Sequence, residues 1–152
     1  MKEESITIHN LDELHLFSCK LIGILEEGKR ENAGIILLSG NLGAGKTAFA
    51  KELAACLRVD EEITSPTFVI QKEYRIYDEK SPFKKLIHID AYRLEKKEEL
   101  EYLGWNELIS DQENLILIEW PEQVEGITIP HALHLNFEIR EGETREVKWW
   151  EG

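Results

Sequence analysis

The sequence predicts an α/β chain, a three-layer fold with a mainly parallel central sheet and antiparallel hairpin additions. Three observations predict it. Ile35-Ile36-Leu37-Leu38 and Leu115-Ile116-Leu117-Ile118 are short, continuous apolar runs, as strands buried on both faces should be. The first run leads through a glycine-rich turn into a helix-forming stretch. Segments rich in β-branched and aromatic residues, separated by polar turns, read as antiparallel pairs.

Taken in order, Asn10 is placed to cap a helix from Leu11 to Glu27, with Leu11, Leu14, Phe17, Leu21 and Leu25 on one stripe. Gly28 and Gly34 bracket the turn into the first apolar strand. A helix follows over Thr47–Leu57, and Pro66 then rules out further helix and favours an extended Ser65. Thr67–Ile76 and Lys85–Asp90 read as two strands of a hairpin. Glu95–Leu103 is charged and helical, Gly104 ends it, and Trp105–Ile109 begins another short piece. Beyond the strand ending at Glu119, the tail carries two alternating segments, Ala132–Ile139 and Arg145–Trp150.

The glycine-rich turn is Gly40-Asn41-Leu42-Gly43-Ala44-Gly45-Lys46-Thr47, which fits G-x-x-x-x-G-K-[ST]. Gly40 and Gly45 let the backbone curl until successive N–H groups face one concavity, an anion nest that a Cβ would obstruct. Lys46 brings a cation to the β- and γ-phosphates of ATP or GTP, and the Thr47 hydroxyl can ligate Mg²⁺. The helix N-terminus adds its dipole. At average glycine usage the bare pattern arises by chance in roughly one chain in 200 of this length. A strand before it and a helix after make coincidence rarer still, and the fold expected is of the P-loop NTPase type.

Composition narrows the function. At 152 residues the chain is long enough for one domain, expected to span residues 1–152. Its formal charge of −12 argues against an autonomous grip on nucleic acid and against anionic membranes. No apolar stretch is long enough to span a bilayer, and the first ten residues lack a signal-peptide layout. Cys19 and Cys56 sit in predicted helices without metal-ligand spacing, and read as reduced thiols of a cytoplasmic protein. His131 and His134 straddle a strand start, which disfavours zinc.

A nucleoside triphosphatase needs a carboxylate at the C-terminal end of a strand beside the loop. Two apolar strands end in one, at Asp90 and at Glu119. One can serve the metal while the other orients or deprotonates the attacking water. Thr67, on spacing alone, starts a strand; it can also report the γ-phosphate as switch threonines do.

These segments accumulate into a family pattern. The loop at 40–47, Ser65-Pro66-Thr67-Phe68, His88-Ile89-Asp90-Ala91-Tyr92-Arg93-Leu94, Glu99-Leu100-Glu101-Tyr102-Leu103-Gly104 and Ile118-Glu119-Trp120-Pro121-Glu122 occur in one order. The chain resembles TsaE, the small bacterial ATPase needed to make threonylcarbamoyladenosine in tRNA, over about Asn10 to Pro121. The resemblance implies that Gly43, Ala44, Gly45, Lys46, Thr47 and Ala48 surround the phosphates of ATP, with Thr47 and Glu119 on Mg²⁺. It implies that Asp90, Lys46 and a switch-like Thr67 are catalytic, that Trp120 lies next to the nucleotide, and that an early segment, loosely Leu11, approaches it. It further implies work with TsaB and TsaD, tRNA being reached only through that complex. Asn41, where similar proteins often carry an acid, and Ala91, where they carry Leu, depart from the pattern without touching a ligand position.

Two other readings stay open at this level. A small-molecule kinase would need an arginine-bearing lid, and none is evident around the six arginines. A nucleotide-gated binding module with incidental hydrolysis is compatible with every residue named.

Overall fold

The computed structural model describes residues 2–28, 30–41, 43–64, 70–123, 129 and 131–152, with Gln123 as backbone. Its elements are β1 (Glu4–Ile8), α1 (Leu11–Glu27), β2 (Gly34–Gly40), α2 (Lys46–Cys56), β3 (Gln71–Arg75) and β4 (Lys85–Asp90). Then follow α3 (Lys97–Tyr102), α4 (Trp105–Ser110), β5 (Asn114–Glu119), a 3-10 turn at Pro121–Gln123, β6 (Leu133–Ile139) and β7 (Arg145–Glu151). Among the described residues the strands form one seven-stranded sheet in the order β1-β7-β6-β2-β5-β4-β3.

The middle four strands are parallel and the outer pairings antiparallel. Every residue of β5 is buried, and β2 is buried from Gly34 to Leu38. Strand alternation sends their side chains into two cores. Ile36, Leu38, Leu115 and Leu117 pack with Phe17, Leu21, Phe49 and Leu53 of α1 and α2 on one face. Ile35, Leu37, Ile116 and Ile118 pack with Leu100 of α3 and Trp105 of α4 on the other. Fully burying such a side chain contributes about 1.5–3 kcal/mol. A run that is apolar at every position therefore anchors both helical layers, and three layers result.

Local signals set the first helix. The Asn10 side chain accepts the Glu13 N–H at 2.9 Å, and Glu13 reaches back to the His9 N–H at 2.8 Å, satisfying groups the helix start leaves unpaired. Of the expected stripe, Leu14, Phe17, Leu21 and Leu25 are buried, whereas Leu11 at the first turn is 61% exposed.

Three departures from the sequence expectations stand out. The tail strand β6 is not simply half of an antiparallel addition. It pairs parallel with β2 and extends the core, leaving β1, β3 and β7 as the antiparallel strands. Its register is set across the sheet, by Phe137 facing Gly40, and no local pattern reports that. Second, Glu4–Ile8 forms an edge strand on β7. Only Ile8 is buried there, so its alternation is faint. Third, Cys19 and Cys56, read as separate reduced thiols, are joined by a disulfide between α1 and α2. Packing of the two helices brings together residues 37 apart in sequence.

Gly40 closes β2 at φ +139°, and a Cβ there would lie 2.6 Å from the Phe137 carbonyl oxygen. Backbone cannot yield as a flexible side chain can. Gly40→Ala is expected to lower the unfolding free energy by about 1–3 kcal/mol, measured by urea denaturation; an unchanged midpoint would contradict this close β2–β6 approach.

Candidate functional site

The loop between β2 and α2 is built by backbone freedom. Gly43 and Gly45 take positive φ, +80° and +110°, while Ala44 between them is buried. Gly45 caps α2 without a side-chain hydrogen bond, and the first turn of that helix carries no acid. The turn thus presents backbone N–H groups and a dipole that no side chain has neutralised.

Lys46 opens α2 and turns inward. Only 5% of it is exposed, and its Nζ is buried without a hydrogen-bond partner among the described residues. The ammonium lies 3.5 Å from the centre of the Trp120 ring, a cation–π contact. Burial pushes the Lys46 amine below its ordinary value, while Glu119, Glu122 and Asp90 oppose that shift.

The strand ends supply the carboxylates. Parallel register sets Leu38 opposite Glu119 and Glu119 opposite Asp90, so both acids stand on neighbouring strands at the end from which the loop emerges. This carboxyl end is where open α/β sheets bind ligands. Glu119 is 5% exposed and accepts a hydrogen bond from His88 Nε2 at 2.7 Å. His88 is itself buried, on the strand that carries Asp90 two residues further on. Asp90 Oδ1 accepts the Tyr92 N–H at 3.0 Å. Burial raises the Asp90 carboxyl above its usual range; the Tyr92 N–H lowers it, Glu119 raises it further, and His88 and Lys46 pull it down.

Past Glu119 the chain turns sharply. Trp120 adopts φ +60°, a conformation that costs a non-glycine residue energy and that tends to cluster at functional sites. Its N–H bonds to the Leu38 carbonyl at 3.0 Å, and Tyr92 lies against its ring at 5.2 Å between centroids. Glu122 accepts the Ser39 hydroxyl at 3.2 Å. One lysine, two strand-end carboxylates and an aromatic ring thus converge beside an uncapped helix start.

A family model described as "Threonylcarbamoyl adenosine biosynthesis protein TsaE" matches residues 8–147. The chain belongs to the TsaE family. It is 37% identical over 121 residues to the tRNA threonylcarbamoyladenosine biosynthesis protein TsaE of Rickettsia felis, covering 79% of this chain and 66% of that one. Against the TsaE protein of Haemophilus influenzae it is 34% identical over 131 residues, covering 85% and 78%. The crystal structure of Bacillus subtilis YdiB superposes with a TM-score of 0.72 at 26% identity, covering 97% of this chain and 84% of that one.

In this TsaE chain the positions singled out in the sequence fall into four groups. Lys46, Asp90, Glu119 and Trp120 converge as described. Thr47 is exposed at the first turn of α2. Leu11 lines a cavity of about 320 Å³ with Gly45, Ala48, Phe137 and Arg145, on the other side of the loop. Thr67, with the rest of Ser65–Val69, lies outside the described residues, as does Leu42 of the loop.

Sequence reasoning overlooked three contributors. His88 holds Glu119, and its spacing of two from Asp90 on a strand, which puts both on one face, was the available signal. Glu122 had no signal beyond its neighbours. Arg145 donates to the Gly43 carbonyl at 3.4 Å from 102 residues away, which only the sheet order explains.

The raised Asp90 carboxyl has a consequence for stability. Its proton is held more tightly in the folded chain than in the unfolded one, where 3.8 is ordinary. Folding therefore loses stability as pH rises from about 3.8 through the folded value, and regains it on acidification. Asp90→Asn, which carries no charge, should unfold at higher urea concentration than the parent near neutral pH. The difference should shrink below 3.8. An asparagine chain no more stable than its parent at neutral pH would argue against a desolvated carboxylate here.

Proposed function

We propose that this chain is a Mg²⁺-dependent ATPase that supports threonylcarbamoylation of tRNA together with TsaB and TsaD. The observation that carries this reading is the buried ammonium of Lys46, without a hydrogen-bond partner among the described residues, beside an uncapped helix start and a glycine turn. A charged group buried without hydrogen bonds is costly, and a phosphate oxygen supplies what it lacks. The surroundings fit a hard cation too. Glu119, Asp90 and Glu122 around one lysine would repel a triphosphate on its own. The available ligands are oxygens, as Mg²⁺ prefers.

Within this reading Gly43, Ala44, Gly45, Thr47 and Ala48 line the phosphates, and Thr47 with Glu119 holds Mg²⁺. That ion would neutralise charge on the phosphates. His88 keeps Glu119 oriented through its 2.7 Å hydrogen bond. Asp90, its carboxyl raised by burial, accepts a proton from the attacking water more readily than an ordinary aspartate. Thr67 acts as the switch residue, Trp120 flanks the nucleotide, and the cavity at Leu11 and Ala48 takes its base. An acidic chain grips tRNA through partners rather than alone. A cytoplasmic setting follows from that role; among the described residues no helix is long and apolar enough to cross a membrane.

The decisive measurement is Mg²⁺-dependent ATP hydrolysis by the purified chain, alone and with reconstituted TsaB–TsaD. We expect slow turnover alone and a rise with partners, since arginine supplied in trans is worth about 10³–10⁵ in rate in other phosphoryl-transfer sites. A flat, partner-blind rate would point away from the modification cycle. Lys46→Ala should weaken ATP binding by about 10- to 150-fold, the worth of a charge-assisted hydrogen bond. Asp90→Ala should leave binding in place and abolish turnover, read by nucleotide titration beside the hydrolysis assay. Undiminished hydrolysis in Asp90→Ala would transfer the base role to another group.

A further inference from the structure

At the far end of α2, about 15 Å along the helix from Lys46, four side chains that the nucleotide reading does not use converge. His15 and Cys19 are four apart on α1, and Glu52 and Cys56 are four apart on α2, so each pair shares one helix face. The two faces meet. Ligand atoms of His15, Cys19 and Cys56 all lie within 4.8 Å of one another. His15 Nε2 is 3.6 Å from Cys19 Sγ and 4.0 Å from Cys56 Sγ. The opposite ring nitrogen, Nδ1, is hydrogen-bonded to Glu52 Oε2 at 2.9 Å.

We propose that, once the Cys19–Cys56 bond is reduced, Cys19, Cys56 and His15 bind a divalent cation of the zinc class. Tetrahedral Zn²⁺ with bonds of about 2.3 Å to sulfur and about 2.0–2.1 Å to nitrogen places sulfur and nitrogen ligands about 3.6 Å apart. The two sulfur-to-Nε2 distances already sit at or near that separation. Cys56 Sγ also lies 3.8 Å from Nδ1, so the ring must turn to aim Nε2 at the cation, and the sulfurs must part to about 3.8 Å by the same geometry. Glu52 completes a carboxylate–histidine–metal arrangement: it takes the Nδ1–H, fixes the tautomer and leaves the Nε2 lone pair free for the cation. The fourth position remains for water.

The chemistry balances with a thiol reductant. One reductant thiolate attacks a sulfur of the disulfide and a second resolves the mixed disulfide, giving two protein thiols and an oxidised reductant. Binding the cation then releases two thiol protons. In a reducing cytoplasm the dithiol is the form available to metal.

The full-length chain, reduced with a phosphine and titrated with Co²⁺ as the probe, tests this. We expect saturation at one equivalent, with near-ultraviolet sulfur-to-cobalt charge transfer and the visible bands of tetrahedral cobalt, both bleached by added Zn²⁺. Cobalt on the oxygen ligands proposed for Mg²⁺ gives no sulfur charge transfer, so the readout is independent of the nucleotide site. Cys19→Ser with Cys56→Ser should abolish that absorption, and Glu52→Gln should weaken zinc affinity by about 10- to 100-fold. A reduced parent chain showing no sulfur charge transfer overturns the proposal whatever the variants do. Affinity unchanged in Glu52→Gln removes Glu52 from its positioning role.

Discussion

The in-register parallel pairing of β2, β5 and β4 is the constraint on which the candidate site depends. Leu38, Glu119 and Asp90 are successive neighbours across that block. Because side chains alternate along a strand, His88 and Asp90 share one face of β4. A slip of one residue would turn each acid to the opposite face. The apolar residues behind them forbid the slip, since it would exchange the contents of two cores that hold different helices. Packing of the sheet and placement of the carboxylates are thus one fact viewed from two ends of the same strands.

Around that block the molecule tolerates unfavourable local energetics. Among the described residues a buried lysine lacks a hydrogen-bond acceptor, a carboxylate is desolvated beside another, and a tryptophan holds a left-handed backbone. Each works against folding, and all three occur within a few residues of the loop and strand ends. The two apolar cores offset them. Strain and desolvation concentrated in this way tend to cluster at functional sites, where they work against local stability.

The α1–α2 pair shows a second use of the same packing. The contact that covers one face of the sheet also sets His15, Cys19, Glu52 and Cys56 together, at the end of α2 opposite its uncapped start. One helix therefore links a glycine turn with a cysteine-bearing cluster. Anything that changes the α1–α2 contact acts on the element that carries Lys46.

Much was legible from sequence because it rests on local or short-period signals. The glycine turn, the capped α1, the doubly buried β2 and β5 and the carboxylate at each strand end are written in consecutive residues. The order of motifs that marks TsaE is likewise a linear property. What required the tertiary structure was everything decided by contacts between distant segments. These include the parallel seat of β6, the faint edge strand β1, the reach of Arg145 to Gly43 and the hydrogen bond that ties His88 to Glu119. The meeting of two cysteines from separate helices belongs with them. Periodicity states which face of an element is apolar, and chemistry states what a short motif can hold. Neither states which other element covers that face, because the choice is made by the summed burial of the whole sheet and its helices.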